Sequence, residues 1–170
     1  MGRSLVAALV LLVGALASGC ASIPRSDPHP LAHHAFPKQQ GASLDGGEIT
    51  IPSTGRVTLI DVWSTACKPC MKLMPKIDAI WEKYRARGLD VVGVAVDDNP
   101  GLVVERLREL HVRYPNIVDA SGNIRAALRS ADLPQTFVID RAGQVRVVRV
   151  GGDDDDAVAI EAAAEKLLGE

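Results

Sequence analysis

The sequence predicts an α/β domain in which helices cover a mixed β-sheet. Two apolar runs, residues 57–63 and 89–96, have the length and the β-branched content of strands that are buried on both faces. Between them, apolar side chains recur over residues 68–87 at the three- and four-residue spacing of one helix face. A strand, a helix and a second strand in this order indicate parallel strands joined by a helical crossover.

The other elements follow from turn residues and from the change between two-residue and helical spacing. A hairpin is predicted over residues 43–51, around an Asp-Gly-Gly turn, and Gly88 ends the first long helix. The later elements are a helix over 102–110, a short strand over 116–119, a small helix over 123–130, strands over 134–140 and 144–150, and a closing helix over 157–168. Four aspartates, residues 153–156, suit the start of that closing helix, because carboxylates complement the positive end of the helix dipole.

The first nineteen residues are typical of a secretory signal peptide: a short positive start, a mainly apolar run over residues 5–16, and small residues. This run is too short to span a bilayer comfortably. Residues 16–20, Leu-Ala-Ser-Gly-Cys, resemble the bacterial lipobox, which implies that Cys20 is lipidated and becomes the first mature residue. The alternative is ordinary cleavage that leaves a free thiol. The odd number of cysteines favours lipidation, since an unpaired thiol is a liability in an oxidising compartment.

Residues 20–41 are predicted to be a lipidated cysteine and a flexible tether, followed by one folded domain over residues 42–170. The tether contains four prolines, three histidines and few large apolar side chains. Its histidines could bind a metal ion, but a flexible segment offers no fixed coordination geometry, so no metal site is predicted. The net charge of −2 argues against nucleic-acid binding.

Cys67 and Cys70 form a Cys-Lys-Pro-Cys motif between the predicted strand 57–63 and the helix that follows. Two thiols at this spacing can close into a disulfide and reopen, and a helix N-terminus stabilises a cysteine thiolate. Lys68 adds a positive charge beside Cys67, with an ordinary solvated lysine as the alternative, and Pro69 fixes φ in the first helical turn.

A structural disulfide or half of a zinc site is the alternative interpretation of the Cys-Lys-Pro-Cys motif. Zinc would need a second pair of ligands, and the sequence contains no second CxxC or CxxH.

Together with residues 133–140, Leu-Pro-Gln-Thr-Phe-Val-Ile-Asp, the segment 61–70 resembles the thioredoxin superfamily. The early hairpin, the Tyr-Pro pair at 114–115 that leads to Asp119, and the Pro-x-Thr-Phe-x-Ile-Asp pattern resemble its TlpA/ResA-like branch of bacterial extracytoplasmic thiol-disulfide oxidoreductases. The resemblance covers residues 42–168. It implies a thioredoxin-like fold, which is a mixed central sheet flanked by helices, with an N-terminal β-hairpin.

The resemblance also implies roles for the residues around the motif. Cys67 would attack the disulfide of a partner protein, and Cys70 would resolve the mixed disulfide. Asp61 is a carboxylate inside an apolar strand, which is costly to bury without a partner or a function. The resemblance places it beneath the disulfide as a water-mediated acid/base for Cys70, with a pKa raised by desolvation. A solvated aspartate at the strand end is the alternative, and Tyr114 is assigned a structural role.

Pro134 matches the cis-proline that faces the CxxC motif in this superfamily. There it keeps metal ions off the thiols and lets the backbone of the preceding residue, here Leu133, pair with a bound peptide strand.

Trp63 is expected either to pack near the active site or to be a simple core residue. Ala66 stands where relatives usually have tryptophan, which would open the groove for the partner. Leu73 stands where ResA-like members carry a glutamate, a departure that weakens the case for a specialised role in cytochrome maturation.

These features predict a membrane-tethered thiol-disulfide oxidoreductase that reduces disulfides in exported proteins, with apocytochrome c or a copper-site protein as candidate substrates. A membrane thiol donor would supply its electrons, and no cofactor is expected beyond the Cys67–Cys70 couple. The protein is expected to be a monomeric bacterial lipoprotein that faces the periplasm. Ala21, directly after Cys20, favours the outer membrane over the inner membrane.

Two alternatives share the fold. A peroxiredoxin-like peroxidase would need a Pro-x-x-x-Thr-x-x-Cys approach to its cysteine, and residues 60–67 lack that proline. A copper chaperone would use Cys67, Cys70 and a histidine, but such domains favour three residues between the cysteines, and this motif has two.

Overall fold

The structure, a computed structural model, describes residues 29–97 and 99–170. The predicted signal peptide, Cys20 and the first part of the predicted tether lie outside the described residues. The strands are β1 (Gln39–Ala42), β2 (Glu48–Ile51), β3 (Val57–Trp63), β4 (Leu89–Ala95), β5 (Asn116–Val118), β6 (Gln135–Ile139) and β7 (Val145–Val150). The helices are α1 (Lys68–Tyr84), α2 (Pro100–Glu109), α3 (Asn123–Ala127) and α4 (Asp154–Gly169).

Five strands form one mixed sheet in the order β5-β4-β3-β6-β7. The central strand β3 runs parallel to β4 and antiparallel to β6, while β5 extends the parallel side and β7 the antiparallel side. Strands β1 and β2 form a separate antiparallel hairpin. The predicted α/β class, the mixed sheet and the N-terminal hairpin are therefore confirmed.

All seven residues of β3 are buried, so this strand organises the core on both faces of the sheet. On one face, Val57 and Leu59 pack against apolar side chains of α1 and α4. On the other face, Ile60 and Val62 pack with residues that include Phe137 of β6. Successive side chains of a strand point to opposite faces of the sheet, and here both faces are covered. The sequence of β3 is therefore almost continuously apolar.

The folded part of the chain begins earlier than predicted. Phe36 is buried and packs edge-on against the ring of Phe137, and the backbone of residues 33–34 forms hydrogen bonds with Val145 at the start of β7. The first hairpin strand is β1, which precedes the predicted residues 43–44. The predicted boundary at residue 41 therefore falls inside the folded part, because backbone hydrogen bonds and the Phe36 side chain anchor a stretch that is otherwise rich in proline and histidine.

The four aspartates mark the beginning of α4, as predicted, although the helix starts three residues before the predicted residue 157. The Asp153 carboxylate accepts a hydrogen bond from the backbone N–H of Asp156 at 2.9 Å, and the Asp156 side chain accepts one from the backbone N–H of Asp153. This reciprocal pair is a capping box. Across residues 29–97 and 99–170, no helix is long and apolar enough to cross a membrane.

An ion pair between a buried aspartate and an exposed arginine fixes α1 to the segment that precedes β5. The Asp78 carboxylate, on α1, is only 5% exposed. One of its oxygens accepts a hydrogen bond from the backbone N–H of Arg113 at 2.7 Å, and the other accepts two from the Arg113 guanidinium at 3.1 and 2.6 Å. The backbone contact makes this interaction more than an exposed salt bridge, because it also sets the position of the chain at residue 113.

We expect Asp78→Ala to lower the free energy of unfolding by about 2–3 kcal/mol, because three hydrogen bonds to a charged acceptor are lost. Glu82→Ala is the matched control on the same helix: Glu82 is more exposed and also pairs with Arg113, at 3.4 Å. That control should cost less than about 1 kcal/mol. Urea denaturation of both oxidised variants measures the difference. Equal losses would show that Asp78 is an ordinary surface partner.

Candidate active site

Cys67 and Cys70 form a disulfide at the start of α1, with Cα atoms 5.3 Å apart. Cys67 is the N-cap residue, and its sulfur accepts a hydrogen bond from the backbone N–H of Cys70 at 3.2 Å. Cys67 is half-buried, whereas Cys70 is completely buried. A partner can therefore reach the first sulfur but not the second, and the N-terminal N–H groups of α1 favour negative charge on the sulfur that is reached.

The residues that flank the disulfide divide into an exposed rim and a buried floor. Ala66, Lys68 and Pro69 are exposed. Trp63 is completely buried and belongs to the same apolar cluster as Cys70. Both expectations for Trp63 therefore apply, since it is a core residue and lies beside the resolving cysteine.

Asn116 fixes the Trp63 ring in the floor of the site. Its side-chain oxygen accepts a hydrogen bond from the indole N–H of Trp63 at 2.9 Å, and its amide donates to the backbone oxygen of Tyr114 at 2.9 Å. Gly93 of β4 makes room for this contact, because a Cβ atom there would collide with the Asn116 side chain.

The loop that carries the motif is anchored by Asp97, a residue that no sequence motif singles out. Its two carboxylate oxygens accept hydrogen bonds from the backbone N–H of Thr65 at 2.9 Å and from the Thr65 hydroxyl at 2.7 Å. The backbone N–H of Cys67 in turn donates to the oxygen of Ser64 at 3.1 Å. Asp97 follows β4, just as residue 64 follows β3. Because neighbouring parallel strands end at the same edge of a sheet, the predicted topology is the signal that could have identified Asp97.

Two further loops reach the same edge. The peptide bond between Leu133 and Pro134 is cis, as the resemblance implies. Leu133, like Cys67, packs against the apolar cluster that contains Trp63 and Cys70. The backbone oxygen of Pro134 accepts a hydrogen bond from the N–H of Gly151 at 3.1 Å. The next residue, Gly152, lies so close to the carbonyl of Pro69 that a Cβ atom could not fit. The β6 and β7 loops therefore meet the first turn of α1.

A cleft of about 620 Å³ opens beside this turn. Its lining consists of Pro69, Lys72, residues 148–153, which include the cation Arg149, and the aspartates Asp155 and Asp156 at the start of α4. The cleft thus places charges of both signs next to the exposed rim of the disulfide. Within the two described ranges, no group of three or more His, Cys, Asp or Glu side chains is arranged to hold a metal ion.

Asp61 is completely buried on the face of β3 that α1 covers. On this face Leu59 precedes it and packs against the middle of α1, while Trp63 follows it and packs with Cys70 at the start of that helix. The carboxylate accepts hydrogen bonds from the Tyr114 hydroxyl at 3.0 Å and from the Thr136 hydroxyl at 3.4 Å. The alternative of a solvated aspartate at the strand end is therefore wrong, since the apolar neighbours on both sides enclose residue 61.

Burial raises the pKa of Asp61 from 3.8 to about 6, while the hydrogen bonds from Tyr114 and Thr136 oppose this rise. The carboxyl group can therefore change its protonation state close to neutral pH. Burial and the nearby Asp61 charge raise the pKa of Tyr114 well above its usual value, so its hydroxyl remains a donor. The sequence predicts only a structural role for Tyr114, because nothing in it signals a contact between residues 53 positions apart.

The arrangement combines three chemical properties. It has one accessible sulfur at a helix N-terminus, one sequestered sulfur bonded to it, and a buried acid whose pKa is about 6 on the strand face beneath the same helix. Such a set can carry out dithiol–disulfide exchange, in which the attack of the second sulfur requires the loss of its proton.

We expect the raised pKa of Asp61 to make the folded protein less stable as pH rises. The folded state holds this proton more tightly than the unfolded chain, so the stabilisation is complete below pH 3.8 and is lost as pH rises to about 6. Asp61→Asn removes the charge, and at pH 7.5 it should unfold with a free energy about 3 kcal/mol higher than the wild type. Urea denaturation of the oxidised proteins at pH 4 and 7.5 measures this. A difference that does not shrink at pH 4 would contradict the assignment.

Comparison with known proteins agrees with this geometry. The model of the Redoxin family matches residues 31–168. The chain is 28% identical over 103 residues to "Thiol-disulfide oxidoreductase ResA" of Bacillus thuringiensis subsp. konkukian, covering 60% of each sequence. It is 19% identical over 152 residues to "Sporulation thiol-disulfide oxidoreductase A" of Bacillus subtilis, covering 88% of this chain and 90% of the relative. This chain thus spans about three fifths of the length of the ResA relative from Bacillus thuringiensis.

A solved structure shows the same fold. The crystal structure of a putative thiol:disulfide interchange protein DsbE from Chlorobium tepidum superposes with a TM-score of 0.75 and 27% identity, covering 79% of this chain and 96% of that chain. The predicted thioredoxin-like fold and the ResA-like resemblance are confirmed by these matches. Since the family model covers residues 31–168, which include the whole site, the chain belongs to the Redoxin family.

Proposed function

We propose that this protein is a thiol-disulfide oxidoreductase that reduces disulfides in exported proteins while it is tethered to a membrane through lipid on Cys20. The observation that carries the proposal is the pairing of a half-buried Cys67 at the N-cap of α1 with a fully buried Cys70. This asymmetry gives the two sulfurs different tasks. The names of the relatives support the same chemistry, and the predicted signal peptide supports a location outside the reducing cytoplasm.

The proposed reaction starts from the reduced dithiol. The Cys67 thiolate attacks one sulfur of the partner's disulfide, the partner's S–S bond breaks, and its other sulfur leaves as a thiolate. Cys70 then passes its proton to the Asp61 carboxylate through a water molecule, and the Cys70 sulfur attacks Cys67 in the mixed disulfide. The second partner sulfur leaves and takes a proton from solvent. Two electrons have moved to the partner, and a membrane thiol donor would restore the dithiol.

The substrate is proposed to be an extended segment of a protein that contains a disulfide. Leu133 packs against the same apolar cluster as Cys67, and its backbone is proposed to pair with such a segment. Ala66 leaves that rim open, and the cleft beside Pro69 can receive a neighbouring side chain. No cofactor is needed, because the Cys67–Cys70 couple carries the electrons. We place the monomeric protein on the periplasmic side of the outer membrane.

We expect Cys70→Ser to accumulate mixed disulfides, because Cys67 can still attack but nothing resolves the product. Expressed in a bacterium with its native leader, the variant should retain exported proteins through bonds that dithiothreitol releases. The double variant Cys67→Ser/Cys70→Ser is the matched control and should retain none. Electrophoresis without reductant, followed by mass spectrometry, identifies the captured proteins. Equal capture by both variants would contradict the role of Cys67.

The direction of electron flow is tested by the reduction potential of the Cys67–Cys70 couple. A reductase of this kind should have a potential between about −180 and −270 mV, the range from protein disulfide isomerase to thioredoxin. Equilibration with glutathione buffers and quantification of the free thiols measures it. A potential near −120 mV, where strong oxidants such as DsbA lie, would contradict the reductase direction and leave the exchange chemistry intact.

A further inference from the structure

Tyr114 is held at its backbone on both sides of the residue. The preceding residue, Arg113, is bound through its N–H and its guanidinium to the buried Asp78 of α1. The backbone oxygen of Tyr114 itself accepts a hydrogen bond from the Asn116 side chain at 2.9 Å. The Tyr114 side chain is 2% exposed, so its hydroxyl has a fixed position inside the domain. Backbone contacts as well as packing therefore hold this residue in place.

The fixed hydroxyl points at Asp61. Its distance of 3.0 Å to one carboxylate oxygen is shorter than the 3.4 Å from Thr136, which approaches the other oxygen from β6. The neighbouring elements place no cation against the negative charge of Asp61 in the described hydrogen bonds. Strand β4 presents Gly93 opposite Asp61, and α4 contributes apolar side chains such as Ile160 to the core on this side of the sheet. The α4 carboxylate of Glu161 also faces α1, where it accepts hydrogen bonds from Lys83 and from the Tyr84 hydroxyl.

Helix α1 buries three titratable groups on this side of the sheet: Cys70 near its start, Asp78 further along and Tyr84 at its end. The Asp78 charge helps to raise the pKa of Tyr114, and Asp78 itself forms an ion pair with Arg113. Among the described residues, the hydrogen bonds to the Asp61 side chain come from Tyr114 and Thr136. Tyr114 therefore makes the shorter of the two interactions that favour the carboxylate over the protonated acid.

We propose that Tyr114 is a positioning residue for Asp61, and that its hydroxyl keeps the buried carboxylate available to accept the proton of Cys70. The inference rests on the proposed function, because it concerns the step in which Cys70 resolves the mixed disulfide. Tyr114 contributes no atom to the exchange itself. Without its hydroxyl the carboxylate loses its closest donor, so Asp61 should hold its proton to a higher pH and resolution should require more alkaline conditions.

The test is Tyr114→Phe in the reduced full-length protein. A peptide that contains a disulfide is mixed with the protein in a single turnover, and the decay of the mixed disulfide on Cys67 is followed by acid quench and mass spectrometry from pH 5 to 9. The midpoint of the rate profile should move to higher pH by about one unit. The same substitution in the Asp61→Asn background should produce no further shift, since the group that Tyr114 positions is absent.

Tyr84→Phe is the matched control. Tyr84 is also a buried tyrosine, 1% exposed, and its hydroxyl lies 3.3 Å from a carboxylate oxygen of Glu161. This substitution removes a comparable hydrogen bond and should leave the pH profile unchanged. A shift of the same size in Tyr84→Phe would show a general loss of rigidity and would overturn the inference.

Three further outcomes separate the inference from the proposed function. If Asp61→Asn changes the profile and Tyr114→Phe does not, the role of Tyr114 is wrong and the proposed function stands. If Asp61→Asn leaves the profile unchanged, Asp61 does not accept the proton, and the role of Tyr114 fails with it. If the wild type forms no mixed disulfide with any peptide tested, the proposed function itself is contradicted, and Tyr114 has no reaction step to serve.

Discussion

The burial of one carboxyl group between the central strand and the active-site helix is the constraint on which the site depends. Asp61 lies in β3, where every residue is buried, and α1 covers its face of the sheet. A carboxylate at such a position opposes folding unless it is protonated or held by donors. The fold provides two hydroxyl donors and no cation partner among the described hydrogen bonds, so the pKa of Asp61 stays near 6. The group thus remains available for proton transfer at neutral pH, whereas a salt bridge would keep it ionised.

The topology of the sheet brings the rest of the site to this position. Strands β3 and β4 are parallel, so the loops that follow them, with Cys67 and Asp97, emerge at the same edge. Strand β6 is antiparallel to β3, so its beginning, at Pro134, lies at that edge, as does the end of β7 near Gly152. Four loops that are distant in sequence therefore surround the first turn of α1. The contacts of Thr65 with Asp97 and of Pro69 with Gly152 hold that turn in place.

Local patterns in the sequence predicted most of the elements and the two cysteines. The apolar run of β3, the helical spacing of α1 and the aspartates before α4 each contain their own signal. Two kinds of feature were missed. Phe36 and the backbone of residues 33–34 dock on the sheet in a stretch whose composition indicates a tether. Asp97 and Tyr114 act through contacts that exist only after the sheet has formed. The burial of Asp61 was predictable from its apolar neighbours, but the donors that hold it were not, because they lie 53 and 75 positions away.

The central claim is that Asp61 and the Cys67–Cys70 couple are chemically linked. The most direct test follows the protonation of the Asp61 carboxyl group by carbon NMR in the oxidised and the reduced protein, with Asp61→Asn to assign the signal. The account predicts titration near pH 6 in the oxidised protein and a shift to higher pH on reduction, because a cysteine thiolate above the carboxyl group disfavours a second negative charge. Superimposable titration curves in the two redox states would contradict the claim.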